Sequence, residues 1–177
     1  NAEIAVMGPK GAAQILFREF VTDEKKMKMK LDEYVKKFAK LVIASDGLDH
    51  SIKVATRQAG WPEIQTFSNR LNYKERGIEI TFPLRDPDCK GGNGMCKCAV
   101  ADYVSKKVGG PVVLIGDGKS DACLALHADI VFAKSSLIKH CEKNNVKHHT
   151  FNTFDDVLKI VKTWKPEEQK IPGYVFN

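Results

Sequence analysis

The stretch Val112–Asp121, VVLIGDGKSD, constrains this chain more than any other. Val112, Val113, Leu114 and Ile115 form an apolar, mostly β-branched run that ends at Asp117, an acid flanked by Gly116 and Gly118. A second acid, Asp121, follows where helical periodicity begins. The pattern predicts two carboxylates at the carboxyl end of a buried strand, which is where open α/β sheets bind their ligands. Carboxylates this close repel each other unless a divalent cation, a lysine or a bound ligand lies between them. The bland alternative is a strand-to-helix turn whose acids only cap the helix.

The same strand, hinge, helix rhythm recurs along the chain. Ile4–Met7 reads as a buried strand ending at Gly8-Pro9-Lys10-Gly11, and Leu41–Ala44 as another ending at Ser45-Asp46-Gly47. A helix running through Ile52, Val54 and Ala55 follows the second. Gln65–Ser68 and Ile78–Phe82 predict a β-hairpin joined through Lys74–Gly77. Lys97–Lys107 predicts a helix with Val100, Tyr103 and Val104 inward; a helix after Asp121 holds Leu124 and Leu126, and Ile130–Phe132 gives a further strand. A helix from Ser136 to about Lys143, a short strand within Val146–Phe151, and a helix opened by Thr153 and Asp156 complete the order. That last helix turns Phe154, Val157, Leu158, Val161 and Trp164 inward. Strands alternating with helices predict an α/β, Rossmann-like, doubly wound and mostly parallel sheet with helices on both faces, plus the β-hairpin insert. Residues 1–165 form one core domain, with 12–40 as an abbreviated helical insert and 166–177 as a tail.

A length of 177 residues suits that single domain. The net charge of +6 permits anionic ligands, but its lysines recur at helical spacing without interleaved aromatics, so a solvated face is expected and not a nucleic-acid surface. No apolar run has the length of a membrane span. Five cysteines leave at least one unpaired, which favours a reducing, cytoplasmic setting.

Several spaced motifs together resemble the haloacid dehalogenase superfamily, in its phosphoserine-phosphatase-like branch. Ser45, in Ile43-Ala44-Ser45-Asp46-Gly47-Leu48-Asp49, matches the family's phosphate-binding serine or threonine, with Asp46 and Gly47 beside it. Lys97, in Gly94-Met95-Cys96-Lys97, matches the lysine that steadies phosphate and nucleophile. Asp117 and Asp121 match the acids that hold Mg²⁺ directly or through water, and Ala128–Lys134 is similar to the strand that follows. The resemblance runs from about Leu41 to Trp164. It implies a phosphoric monoester hydrolase working through an aspartyl phosphate with Mg²⁺, on a small phosphorylated metabolite.

One motif departs from that pattern. Aligned by strand and glycine, Ile4–Ala12 puts Gly8 where the attacking aspartate belongs and Lys10 where the acid/base aspartate belongs. Glycine has no nucleophile, and an ammonium near Asp117 and Asp121 would replace the cation's charge and repel it. On this alignment the expected protein has lost phosphatase activity and needs no cofactor. It then serves as a binding or structural module for a phosphorylated or anionic ligand, a protein partner or a second copy of itself. The short interval before Leu41 also implies a reduced or absent helical cap.

Outside these motifs, Cys89, Cys96 and Cys98 share a glycine-rich loop, read as structural thiols, a Cys89 to Cys96 or Cys98 disulfide, or zinc ligands. Cys123 and Cys141 fall at inward helical positions. His148 and His149 alternate along a strand and so point apart, His50 is placed to face the cleft, and His127 and His140 are expected on helix surfaces.

Overall fold

The computed structural model describes residues 2–7, 13–14, 40–61, 63–89, 91–108 and 111–164. Its strands are β1 (Ala2–Met7), β2 (Ala13–Gln14), β3 (Lys40–Leu48), β4 (Gln65–Lys74), β5 (Gly77–Thr81), β6 (Val112–Gly116), β7 (Ile130–Ala133) and β8 (His149–Thr150). Between and after them run α1 (Asp49–Gln58), α2 (Lys97–Val108), a 3-10 turn at Lys119–Asp121, α3 (Ala122–Ala125), α4 (Ser136–Lys143) and α5 (Phe154–Val161). The strands make one sheet in the order β5-β4-β3-β1-β6-β7-β8, with β2 paired to β1.

The α/β class and the doubly wound sheet hold. β3 and β4 run parallel, as do β6, β7 and β8. Both halves share one direction, because β3 and β6 are each antiparallel to the β1 between them. The hydrophobic runs explain the centre: Val113, Leu114, Ile115, Phe132 and Ala133 have no exposed surface, since parallel strands are covered on both faces. The tip of β4 turns back on β5 as the expected hairpin, with Tyr73 opposite Ile78 and Leu71 opposite Ile80.

β1 is the correction. It is central, as expected, but antiparallel, so Met7 lies beside the starts of its neighbours and Ala2 beside their ends. A short apolar run reads alike in both directions and carries no signal of polarity, while an antiparallel ladder is slightly the more stable per residue. Gly8 and Lys10 lie outside the described residues, as do most of 12–40 and all of 166–177. Within the expected helical insert, Ala13–Gln14 is strand, paired to Val6 and Met7.

Helix faces follow periodicity with local exceptions. In α5, Phe154, Val157, Leu158 and Val161 are buried at the spacing of one apolar stripe, and Trp164 closes over Phe132 with ring centres 6.2 Å apart. Val100 and Val104 of α2 are buried, but Tyr103 is exposed; its ring meets Phe67 edge-on and lies under Lys107. Val54 and Leu126 are also exposed. Among the described residues no helix is long and apolar enough to cross a membrane.

Candidate functional site

The ends of β3 and β6 meet the same end of β1. Ile43 and Ile115 both pair with Glu3, so Ser45 and Asp117, each two residues further on, sit at one level just past Ala2, on the two strands that flank β1. Two strand spacings separate them, roughly 10 Å. On the β3 side the ladder with β4 shifts register between Ser45 and Leu48. Asp46 and Gly47 therefore bulge from the strand, and bulges re-aim side chains at such edges. Ser45 is wholly buried and its Oγ accepts the Gly47 N–H at 3.0 Å.

Asp46 is tied rather than loose. Its Oδ1 accepts the Met95 N–H at 3.1 Å and the Asn69 Nδ2 at 3.2 Å, and Asn69 Nδ2 also donates to the Asp46 carbonyl at 2.7 Å. These bonds bind the loop before α2 and the middle of β4 to the end of β3. Gly94 packs closely there: a Cβ on it would stand 2.6 Å from the exposed Phe82 ring. Next along the edge, Asp49 Oδ1 accepts the Leu71 N–H, which holds that carboxyl below its usual range. His50 is exposed beside Tyr73.

Across β1, Lys97 opens α2 with its side chain 1% exposed. Its Nζ donates to Asp121 Oδ1 at 2.7 Å and to Ser120 Oγ at 2.8 Å. The other oxygen of Asp121, Oδ2, accepts the N–H groups of Asp117 and Gly118. Both carboxylate oxygens of Asp121 are thus engaged, and Gly116 makes room for them: a Cβ there would be 2.6 Å from Asp121 Cγ. Asp117 is half-buried at the end of β6, its carbonyl accepting Ser136 Oγ and the Leu137 N–H.

Lys97, Asp117 and Asp121 are therefore brought together, and Ser45, Asp46 and Gly47 stand on the opposite side of β1. Ser120, Asn69 and Ser136 were missed by sequence reasoning. For Asn69 a signal existed, two adjacent polar residues, Ser68 and Asn69, in mid-strand, both buried. For the two serines only the fold supplies one.

A hard cation needs oxygen ligands, and Mg²⁺ is commonly held by one or two carboxylates completed by water and phosphate oxygens. Asp121, with both oxygens already taken, is better suited to position the loop than to ligate. Asp117 is the acid of this edge that fits such an ion. Among the described residues no three of His, Cys, Asp and Glu converge on a metal-sized point.

The thiols also take a definite arrangement. All five cysteines are free; Cys96 and Cys141 are buried, and Cys98 Sγ lies 3.4 Å from Cys123 Sγ. Burial, reinforced by the Cys123 thiol, pushes the Cys98 thiol far up. Cys123, expected in the core, is half-buried and turned to Cys98. His149 is exposed on β8, but partial desolvation beside the Phe132 ring, 5.1 Å away, pushes it down; His127 is exposed, whereas His140 is half-buried with an unpartnered Nε2.

No family model matches the chain. It is 33% identical over 135 residues to a 2-hydroxy-3-keto-5-methylthiopentenyl-1-phosphate phosphatase of Lysinibacillus sphaericus, covering 73% of this chain and 58% of the relative. It is 32% identical over 143 residues to the protein of the same name from Geobacillus kaustophilus, covering 80% and 60%. The chain spans about half to three fifths of the curated relatives it matches. Among solved structures, a phosphoserine phosphatase in apo form superposes with a TM-score of 0.52 at 18% identity, over 75% of this chain and 64% of that one. A phospho-aspartyl intermediate analogue of phosphoserine phosphatase gives 0.54 at 17%, over 75% and 61%. At such identities the likeness is one of fold.

Proposed function

Because the chain belongs to the haloacid dehalogenase superfamily, in its phosphoserine-phosphatase-like branch, we propose that it is a Mg²⁺-dependent phosphomonoester hydrolase acting on a small phosphorylated metabolite. The observation that carries this reading is the anchoring of Lys97 by Asp121 and Ser120 at the sheet edge where Asp117 ends β6.

The chain's own residues divide the work. Lys97 sets a fixed positive charge beside the phosphoryl oxygens, worth most in a site with little water. Asp121 and Ser120 keep that ammonium in place, so little reorganisation is needed when the ester arrives. The Ser45 hydroxyl, oriented by the Gly47 N–H, donates to a phosphoryl oxygen from the other side of β1. Asp117 would hold Mg²⁺, which when bound would supply polarisation of the phosphoryl group. Among the described residues none is assigned as the attacking carboxylate of an aspartyl-phosphate route.

The contrary expectation, that activity is lost, relied on Gly8 and Lys10 following β1 to Asp117. Those two residues lie outside the described ones, and the β1 that precedes them runs away from Asp117, with Ala5 opposite Val113 and Glu3 opposite Ile115. The reading of a non-hydrolytic phosphate-binding module keeps one observation in its favour: among the described residues no group of three or more His, Cys, Asp and Glu gathers to hold a metal ion. Five free thiols fit a cytoplasmic setting.

Hydrolysis of p-nitrophenyl phosphate by the full chain with Mg²⁺ tests the proposal, with calorimetric titration of inorganic phosphate beside it. The expected result is turnover that falls by roughly 100-fold or more in Asp117→Asn. Phosphate binding without turnover supports the binding module, and absence of both removes the two readings together. The compound for which the relatives are named is the metabolite to assay first.

A further inference from the structure

We propose that Cys98 and Cys123 form a redox-modification site, a dithiol that exchanges with small-molecule disulfides to give a cross-link between α2 and α3. This is independent of phosphatase activity. Their sulfurs are 3.4 Å apart, whereas a disulfide bond measures about 2 Å, so closing it asks for a shift of little more than an ångström. The two residues lie on different helices that pack together. Cys98 directly follows Lys97, and Cys123 stands two residues after Asp121. The bond would therefore join the two segments that meet in the buried ion pair.

Access is built in. Cys98 and Cys96 line an open groove of about 480 Å³ whose walls include Asp86, Asp102 and His127. A small disulfide such as oxidised glutathione can reach Cys98 from it. The Cys98 thiolate attacks one glutathione sulfur, and the first glutathione leaves as thiolate. Cys123 then attacks the Cys98 sulfur of the mixed disulfide and releases the second. Two protein thiols and one glutathione disulfide become one protein disulfide and two glutathione thiols, which carry the two protons. Cys89 and Cys96 make a neighbouring thiol pair, interacting through their side chains, and Cys141 is buried in α4. Selectivity is thus part of the proposal.

Because burial keeps the Cys98 thiol protonated, the test is run to equilibrium in glutathione buffers of graded ratio, on the metal-free full chain, and quenched by alkylation. The expected result is an intact chain carrying two fewer alkyl groups than the fully reduced one, with peptide mapping that joins Cys98 to Cys123. The oxidised protein should melt about 8 °C higher, since a cross-link closing a loop of this length constrains the unfolded chain. Cys123→Ser should abolish the mapped bond and Cys141→Ser should leave it. Mapping on the unmutated chain keeps the test valid if a variant fails to fold. A bond between Cys89 and Cys96 instead, glutathione adducts only, or thiols that stay reduced across all ratios would each overturn the proposal. So would tight zinc on the purified native chain that protects both thiols.

Discussion

Lys97 Nζ and Asp121 Oδ1 meet at 2.7 Å with side chains 1% and 0% exposed, across 24 residues of sequence. Removing one member leaves a buried charge without its partner, at a cost of about 3–5 kcal/mol. Lys97→Met and Asp121→Asn should each lose that much in denaturant unfolding at neutral pH. The double variant should lose clearly less than the sum, because neither charge is then stranded. Additive losses would show that the pair contributes nothing as a pair.

Gly116 faces the same carboxylate. Alanine there meets Asp121 Cγ at 2.6 Å, and Asp121 cannot withdraw without breaking its bonds to Lys97, Asp117 and Gly118. Gly116→Ala should cost about 1–3 kcal/mol, as overpacking does. Gly94→Ala makes an equally short contact on paper, but with the ring of Phe82, which is 46% exposed and able to swing aside. Its cost should be about 1 kcal/mol or less. Equal losses in thermal or urea unfolding would count against this account of Gly116.

These two cases also show what was legible beforehand. The apolar runs of β6 and β7 and the stripe of α5 announce buried elements, and the rule for strand ends places Asp117 and Asp121 at one edge. Lys97 is found by its motif, but its partner is not, since a contact across 24 residues leaves no local trace. The direction of β1 is invisible in Ile4–Met7, and an antiparallel β1 takes away the strand-based argument for setting Gly8 and Lys10 beside Asp117. Tyr103 has the spacing of a core residue, yet Val100 and Val104 already fill the stripe, and its ring is left to the edge beside Phe67. Cys123 likewise has an inward period but finds Cys98 rather than the core.

At the start of α5 the Asp156 carboxylate accepts the N–H groups of Asn152 and Thr153, both at 3.1 Å, and Lys159 lies beside it at 3.3 Å. The Thr153 bond, then that from Asn152, holds its carboxyl down to about 2 from an ordinary 3.8. A folded pKa below the unfolded one stabilises above the unfolded value, and that stability is lost as pH falls through the folded value. Asp156→Asn should therefore cost about 1 kcal/mol at neutral pH, as loss of a cap does, and converge with the parent near pH 2. Urea unfolding as a function of pH reads the convergence; a gap that stays constant to pH 2 would contradict it.

The tie from Asp46 to Met95 and Asn69 makes a finer distinction between shape and charge. An asparagine at 46 keeps a carbonyl oxygen for the Met95 N–H and the Asn69 amide, whereas leucine keeps none and leaves both donors without their acceptor. Asp46→Asn should cost about 1 kcal/mol, and Asp46→Leu about 2–4 kcal/mol with faster hydrogen exchange at the Met95 amide. Met95 and Cys96 lead directly into Lys97, so the leucine variant should also weaken inorganic phosphate binding while the asparagine variant largely preserves it. If both variants weaken phosphate equally, the Asp46 charge itself faces the ligand, and its role is electrostatic instead of positional.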